Sequence, residues 1–324
     1  MKPSDIPLLW WLGAGVLVAF VLALAVGPGF LGIAGDAQAR TLILREIRLP
    51  RALLAACVGA ALGTAGAALQ GYLRNPLAEP GVIGVSGGAA LSAVIAIHLG
   101  LASIVPAALP IAGLLGAALS TFAVVALAGR GSGPVPLMLA GVAISSLTSA
   151  AIWLVLTISG NPFAAAESIF WMMGSFADRS FTHVVIAVPL MAVGMVLLFR
   201  LARTLDALTL GEEAAQSLGA DLQRAQWLLV GGVALAVGAA TAVTGIIGFV
   251  GLVVPHVLRH RVGYQPGRLL AASALGGAAM LLAADALLRL VSPWLDLRIG
   301  VLTALLGAPF FVALVVRLRQ DLAP

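Results

Sequence analysis

The chain has 324 residues, of which 61% are hydrophobic and only 10% charged. No soluble domain of this size needs that much apolar surface, so the composition excludes one and makes lipid the solvent. The formal net charge of +5 does not mark a nucleic-acid binder, because the arginines are scattered between apolar runs, where membrane topology explains them.

Two further features narrow the class. Lys2 is the one lysine. A phosphate-gripping Walker loop needs a lysine, so nucleotide hydrolysis is excluded, as is a lysine Schiff base inside the membrane. If ATP drives this protein, the ATP and its Mg sit on a different chain, and this chain calls for no cofactor of its own. The single cysteine, Cys57, rules out an internal disulfide and a cysteine-based metal cluster, and reads as an inert thiol in an apolar span.

In chain order, apolar runs long enough to span start with 8–31, which is too long for a signal-peptide core and lacks a clear cleavage pattern. Further runs lie at 52–71, 81–100, 102–129, 137–158, 182–200, 225–246, 249–258, 269–290 and 299–316. The expectation is an all-α polytopic membrane protein of about ten transmembrane helices, one transmembrane domain over 1–324. Abundant glycine and alanine favour a tightly packed bundle. Asn75-Pro76, Gly245 to Gly248 and Pro255 predict broken helices, tolerated at membrane depth only where protein or a water-filled cavity covers the freed backbone.

The basic residues set the orientation. Lys2, Arg74, Arg130, Arg200, Arg203, Arg224, Arg259, Arg261, Arg268, Arg317 and Arg319 fall on one side. Arg40, Arg45, Arg48, Arg51, Arg179, Arg289 and Arg298 fall on the other. The larger set predicts cytoplasmic N- and C-termini. The stretch 201–224 is then cytoplasmic, and it holds Asp206, Glu212, Glu213 and Asp221 out of only 13 acidic residues. Within it, Gly211, Glu212, Glu213, Ala214, Ala215, Gln216, Ser217, Leu218 and Gly219 form a short, helix-prone, charged segment between two glycines. A docking surface for another protein is the expected use.

Specific strings sharpen this. Arg74 to Ala89 reads RNPLAEPGVIGVSGGA, with Arg74, Asn75, Pro76 and Pro80 ending one helix and starting another. Upstream lie Arg48-Leu-Pro-Arg51 and Gln70. Downstream, Gly245 to Arg259 reads GIIGFVGLVVPHVLR and carries Gly251, Pro255 and His256; Ala284-Asp285 is followed by Arg289; and Gly300 to Phe311 reads GVLTALLGAPFF. Together these resemble the permease subunits of the bacterial ABC importers for ferric siderophores, haem and vitamin B12, the type II importers. The resemblance runs from about residue 40 to the C-terminus.

That resemblance implies a homodimer with the pathway on its two-fold axis, two ATP-binding cassette subunits on the cytoplasmic side and a periplasmic substrate-binding protein above, in the bacterial inner membrane. It makes Gly211–Gly219 the segment that seats in the ATPase, with Glu212 and Glu213 in the first turn, where the helix dipole favours them; a solvated loop helix is the alternative. By position, Arg48, Arg51 and Arg289 would pair with acids of the binding protein, bidentate geometry suiting arginine to this; anchoring to lipid headgroups is the alternative. The pathway would draw on Leu137 to Leu147, including Leu137 and Gly141, and on Trp171, Met172, Met173 and Ser175 in the string WMMGSF. Methionines there either adapt to a bulky ligand or simply pack.

Asp285 is the acid clearly inside a span and is expected to pair with Arg289 one turn on. His256 and His260 lie beside Arg259 and Arg261, whose charge disfavours a metal, so no metal site is expected; capping and subunit contact suit this pair better. His98 and His183 are interfacial, with haem contact as an alternative. Relatives carry a proline where Arg298 stands, at the outer mouth; Arg298 would meet an anionic ligand group such as a haem propionate, or the binding protein. The segment Val262 to Arg268, VGYQPGR, also departs from the family string. The expected activity is ATP-driven import of haem or another iron chelate, with ferric siderophore or vitamin B12 as alternatives and no chemistry on the substrate. A secondary transporter is the rival class; it calls for several mid-membrane polar groups.

Overall fold

The computed structural model describes residues 6–27, 30–31, 36–105, 107–129, 133–292, 294–295 and 297–322. The topology readings on Lys2 and Arg130, and the side chains of Arg317 and Arg319, lie outside the described residues.

Helix α1 (Ile6–Ala25) ends sooner than the apolar run suggested. Gly27-Pro28-Gly29 cannot continue a helix, and the chain turns back through strands β1 (Val26–Gly27) and β2 (Phe30–Leu31), paired antiparallel with Val26 opposite Leu31. Asp36 then accepts the Ala39 N–H at 2.8 Å and caps α2 (Ala37–Leu42). A π-helical turn, Ile43–Arg48, joins α2 to α3 (Leu49–Tyr72), giving one apolar rod of 36 residues. The arginine cluster is therefore helical, and the wide turn beside Arg48 and Arg51 re-aims them relative to a regular helix.

After a 3-10 turn, Pro80–Ile83, the chain forms α4 (Val85–His98), α5 (Leu101–Ile104), α6 (Ala108–Ala128) and α7 (Pro134–Ile158). Next come α8 (Pro162–Met172), α9 (Phe181–Phe199), α10 (Ala202–Leu208) and α11 (Glu212–Ser217). The chain closes with α12 (Leu222–Thr244), α13 (Val250–Leu258), α14 (Pro266–Val291) and α15 (Ile299–Leu322). Among the described residues, 7 helices are long and apolar enough to cross a membrane, and α4 and Ile299–Leu314 are shorter apolar ones. With α13 these correspond one for one to the ten apolar runs. Helix α8 was not legible as a separate element; Asn161 starts it, accepting the N–H groups of Phe163 and Ala164 with Pro162 in the first turn.

Helices α3 and α12 form the centre, and α1 the periphery. Helix α3 packs against α14, α13, α9 and α12. The α3–α14 crossing brings backbone onto backbone: a Cβ on Gly59 would lie 2.2 Å from the Gly277 carbonyl oxygen, and one on Gly277 would lie 2.0 Å from that of Gly59. Small residues at both positions are what this contact requires.

The break after α12 falls where the glycines placed it. Gly245 adopts φ 76° and Phe249 φ 67°, and α13 starts at Val250. Pro255 does not break a helix; it sits inside α13. Its missing N–H leaves the Gly251 carbonyl without its helical donor, and Gln70 of α3 supplies one: Nε2 lies 3.2 Å from Gly251 O and 3.3 Å from Leu252 O.

Candidate functional site

One end of the bundle carries an arginine-rich cavity of about 480 Å³. Asp285 of α14 is its buried anion. Arg51 of α3 grips it, Nε lying 3.0 Å from both carboxylate oxygens and Nη2 2.7 Å from Oδ1. Arg289 Nε follows at 3.3 Å from Oδ2. The sequence pointed to Arg289 as the partner; the geometry adds Arg51 as the tighter one. Arg48 donates to Leu24 O at 2.7 Å and Ala25 O at 3.0 Å, and Arg289 Nη1 donates to Val26 O at 3.0 Å. The Leu24 and Ala25 carbonyls end α1, where helix geometry leaves them without intrahelical donors and the helix dipole favours cations, and Val26 follows directly in β1.

The cavity is also lined by Ser175 and Arg298. Four arginines, Arg48, Arg51, Arg289 and Arg298, thus line a cavity in which Asp285 is the carboxylate. Arg289 is buried, yet its Nη2 makes no hydrogen bond among the described residues. Arg298 lies over the Phe170 ring at 5.6 Å from its centroid. Arg179, unmarked by any motif, is held close by: burial lowers its guanidinium pKa, Asp178 opposes this and Arg298 adds to it.

A second, apolar chamber of about 830 Å³, open to the surface of the single chain, lies between the α8–α9 connection, the α12–α13 break and α15, lined by Met172, Met173, Phe249, Gly300, Ala304 and Leu305 among others. Met172 and Met173 of the WMMGSF string both line it. Trp171 instead packs on the small cluster of Ala90, Val94 and Ile152. Leu137 is fully buried, and a Cβ on Gly141 would sit 2.4 Å from the Val82 carbonyl oxygen, so neither faces the chamber. Ser175 and Met173 tie the chamber wall together: Ser175 N donates to Thr244 O at 2.7 Å, and Gly300 N to Met173 O at 3.1 Å.

The opposite end carries α10 and α11. Gly211 (φ 102°) starts α11 and Gly219 (φ 87°) lies just past its end, as the two flanking glycines predicted. The acids of this stretch divide their work. Asp206 accepts the Gly267 N–H at 2.8 Å at the start of α14, and Asp221 the Arg224 N–H at 2.9 Å at the start of α12. Glu212 pairs with Arg74 at 2.9 Å. Glu213 is exposed, as are Gln216, Ser217 and the apolar Leu210 and Leu218; Ala215 alone is buried. Ala214 is half-buried.

Between these ends runs the turn 73–84. Asn75 Oδ1 accepts the Leu77 N–H at 2.9 Å, and Pro76 follows it in the turn. Gln70 Oε1 accepts from Arg259 Nη2 at 2.5 Å. Glu79 accepts the N–H of Phe249. Burial pushes the Glu79 carboxyl above its ordinary range, and this hydrogen bond pulls the other way. A Cβ on Gly251 would meet Pro80 Cδ at 2.7 Å, so α13 starts directly on this turn. His256 contacts Phe310 edge-on at 5.5 Å. His183 Nδ1 accepts the Ser180 N–H at the start of α9, and His98 Nδ1 lies 2.9 Å from Val94 O. Neither of the last two lines the chamber or the arginine cavity.

An apolar chamber walled by broken helices, an arginine mouth and a polar helix at the far end fit a transport protein. Residues 15–317 match the FecCD transport family. This chain belongs to that family. The hemin transport permease HmuU of Yersinia pestis is 37% identical over 95% of this chain and 96% of its own length. The vitamin B12 import permease BtuC of Vibrio cholerae is 42% identical over 84% of this chain and 82% of its own length. The Fe(3+) dicitrate permease FecD of Escherichia coli is 41% identical over 86% of each. A solved inward-facing metal-chelate type ABC transporter superposes with a TM-score of 0.87 at 32% identity, over 95% of this chain and 98% of that one. The FecCD fold is thus the one this chain adopts: a polytopic, helical permease of a type II importer.

Proposed function

We propose that this chain is the membrane subunit of an ATP-driven importer that moves haem from periplasm to cytoplasm by alternating access, other iron chelates and vitamin B12 being the remaining cargo classes. It works as a homodimer in the bacterial inner membrane with both termini cytoplasmic. Two ATP-binding cassette subunits seat on Gly211–Gly219 and hold the ATP and Mg, and a periplasmic binding protein meets the arginine end. The chain itself performs no chemistry on its cargo and acts as one permease domain.

The observation that carries this reading is α11. A six-residue helix that leaves Glu213 and the flanking Leu210 and Leu218 exposed, while Asp206 and Asp221 of the same stretch serve as helix caps, has the mixed character of a docking surface. At the arginine end, the excess of cations around Asp285 favours acidic groups, whether side chains of the binding protein on Arg48, Arg51 and Arg289 or a propionate beside Arg298. The chamber offers a haem-sized macrocycle apolar walls and two methionines.

Proteoliposomes holding the chain with its cassette subunits and binding protein are expected to take up haem only with ATP. Cobalamin and ferric-chelate competition assigns the cargo. Uptake by the chain alone under a proton or sodium gradient would overturn the importer reading.

A further inference from the structure

The Glu79 carboxylate lies in the turn after α3, directly against the break that walls the chamber, and among the described residues it pairs with no cation. Its Oε1 accepts the backbone N–H of Phe249, the residue that caps α13 in the left-handed conformation with φ 67° and ψ −21°. An aromatic residue adopts that conformation only where its surroundings impose it. Two features impose it here. The carboxylate satisfies an N–H that the break after α12 leaves without a helical acceptor, at the end of α13 where the dipole favours an anion. On the far side the Phe249 ring lies against α15 at Gly307, where a Cβ would fall 2.3 Å from Phe249 Cγ.

We propose that Glu79 is a positioning residue of the transport cycle: by holding the Phe249 backbone it wedges the Phe249 ring between α13 and α15 and so keeps the chamber wall closed. The proposal rests on the importer reading and adds the element that the docking helix would move. The turn that carries Glu79 starts at Arg74, which pairs with Glu212 of α11, so displacement of α11 reaches Phe249 through residues 74–79. Release of the hydrogen bond frees the ring and loosens the α13–α15 contact, opening the chamber wall.

The test uses the full chain in liposomes with Cys57→Ser and a reporter Ala304→Cys on the chamber wall. Glu79→Ala is expected to raise the thiol-labelling rate by about fivefold or more, as a locally opened segment does. Glu79→Gln, whose amide oxygen still accepts the N–H, is expected to return most of that change. Phe249→Gly, which removes the ring and tolerates the backbone conformation, is expected to match Glu79→Ala, and the double variant to add nothing. Labelling unchanged in Glu79→Ala, or additive effects in the double variant, would overturn the proposal. So would a large loss of melting temperature in Glu79→Gln together with Glu79→Ala, which would make the residue structural. Labelling needs no cargo or ATP, so it stands apart from the uptake assay: failure of ATP-dependent uptake in the unaltered complex removes the importer reading alone.

Discussion

Arg51 and Asp285, 234 positions apart, meet through a bidentate contact inside the membrane bundle, Arg51 Nη2 lying 2.7 Å from Asp285 Oδ1. That contact joins α3 to α14 at the arginine end, as Gly59 and Gly277 join them lower down. Arg289 approaches the same carboxylate, so one buried anion serves two cations. Removing it strands both.

Asp285→Ala is therefore expected to cost about 3 kcal/mol or more, because breaking a buried pair leaves uncompensated charge. Asp285→Asn should cost less, since the amide oxygen still accepts from Arg51. Thermal unfolding in detergent checks both. Equal stability of Asp285→Ala and the unaltered chain would show that water reaches the cavity freely enough to replace the carboxylate.

Gln70 allows a sharper experiment. Its amide serves the Gly251 and Leu252 carbonyls, and the first lacks a helical donor because residue 255 is proline. Gln70→Leu is expected to destabilise by about 1–3 kcal/mol, the cost of stranding a buried acceptor. Pro255→Ala restores the N–H that Gly251 O lacks, so it should recover part of the loss in the Gln70→Leu background and little in the unaltered chain. A double-mutant cycle measures this, and additivity within about 0.3 kcal/mol would deny the link.

The Gln70 link also shows how far the sequence could be read. Its apolar runs located all ten crossing or half-crossing segments, and the glycines at 211 and 219 bounded α11, because both signals are local. Arg51–Asp285 was not legible: a carboxylate one turn before Arg289 points to that near neighbour, and only the fold brings α3 against α14. The contacts of Glu79 and Gln70 were hidden for the same reason, each acting on backbone about 170 to 180 positions away. Leu137 and Gly141 pack against neighbouring elements of this chain rather than lining the chamber, and hydropathy cannot tell a wall facing a cavity from one facing another helix. Met172 and Met173 do face the chamber, at the end of α8, a helix too short to register as a span.

Arg74 and Glu212 form an exposed pair, with side chains 45% and 36% accessible. Such a pair contributes about 1 kcal/mol at most, so Glu212→Ala should leave the melting temperature nearly unchanged. Its effect should appear instead as ATP hydrolysis poorly matched to uptake. The exchange Arg74→Glu with Glu212→Arg should recover the match if the pair transmits motion. If neither change alters the ratio of uptake to hydrolysis, Glu212 acts only as a surface charge.

Leu218 separates docking from folding. It is 68% exposed at the end of α11, so Leu218→Ser removes little buried surface from the isolated chain and should leave its unfolding unchanged. An apolar side chain buried at the centre of an interface commonly contributes more than about 1 kcal/mol to binding. Leu218→Ser is therefore expected to weaken capture of the cassette subunits by about tenfold, with Leu210→Ser adding to the effect, while capture of the binding protein at the arginine end stays the same. Pull-down of each partner with the same variant reads both arms. Equal loss of both partners would point to global unfolding, and loss of neither would place the cassette contact elsewhere than α11.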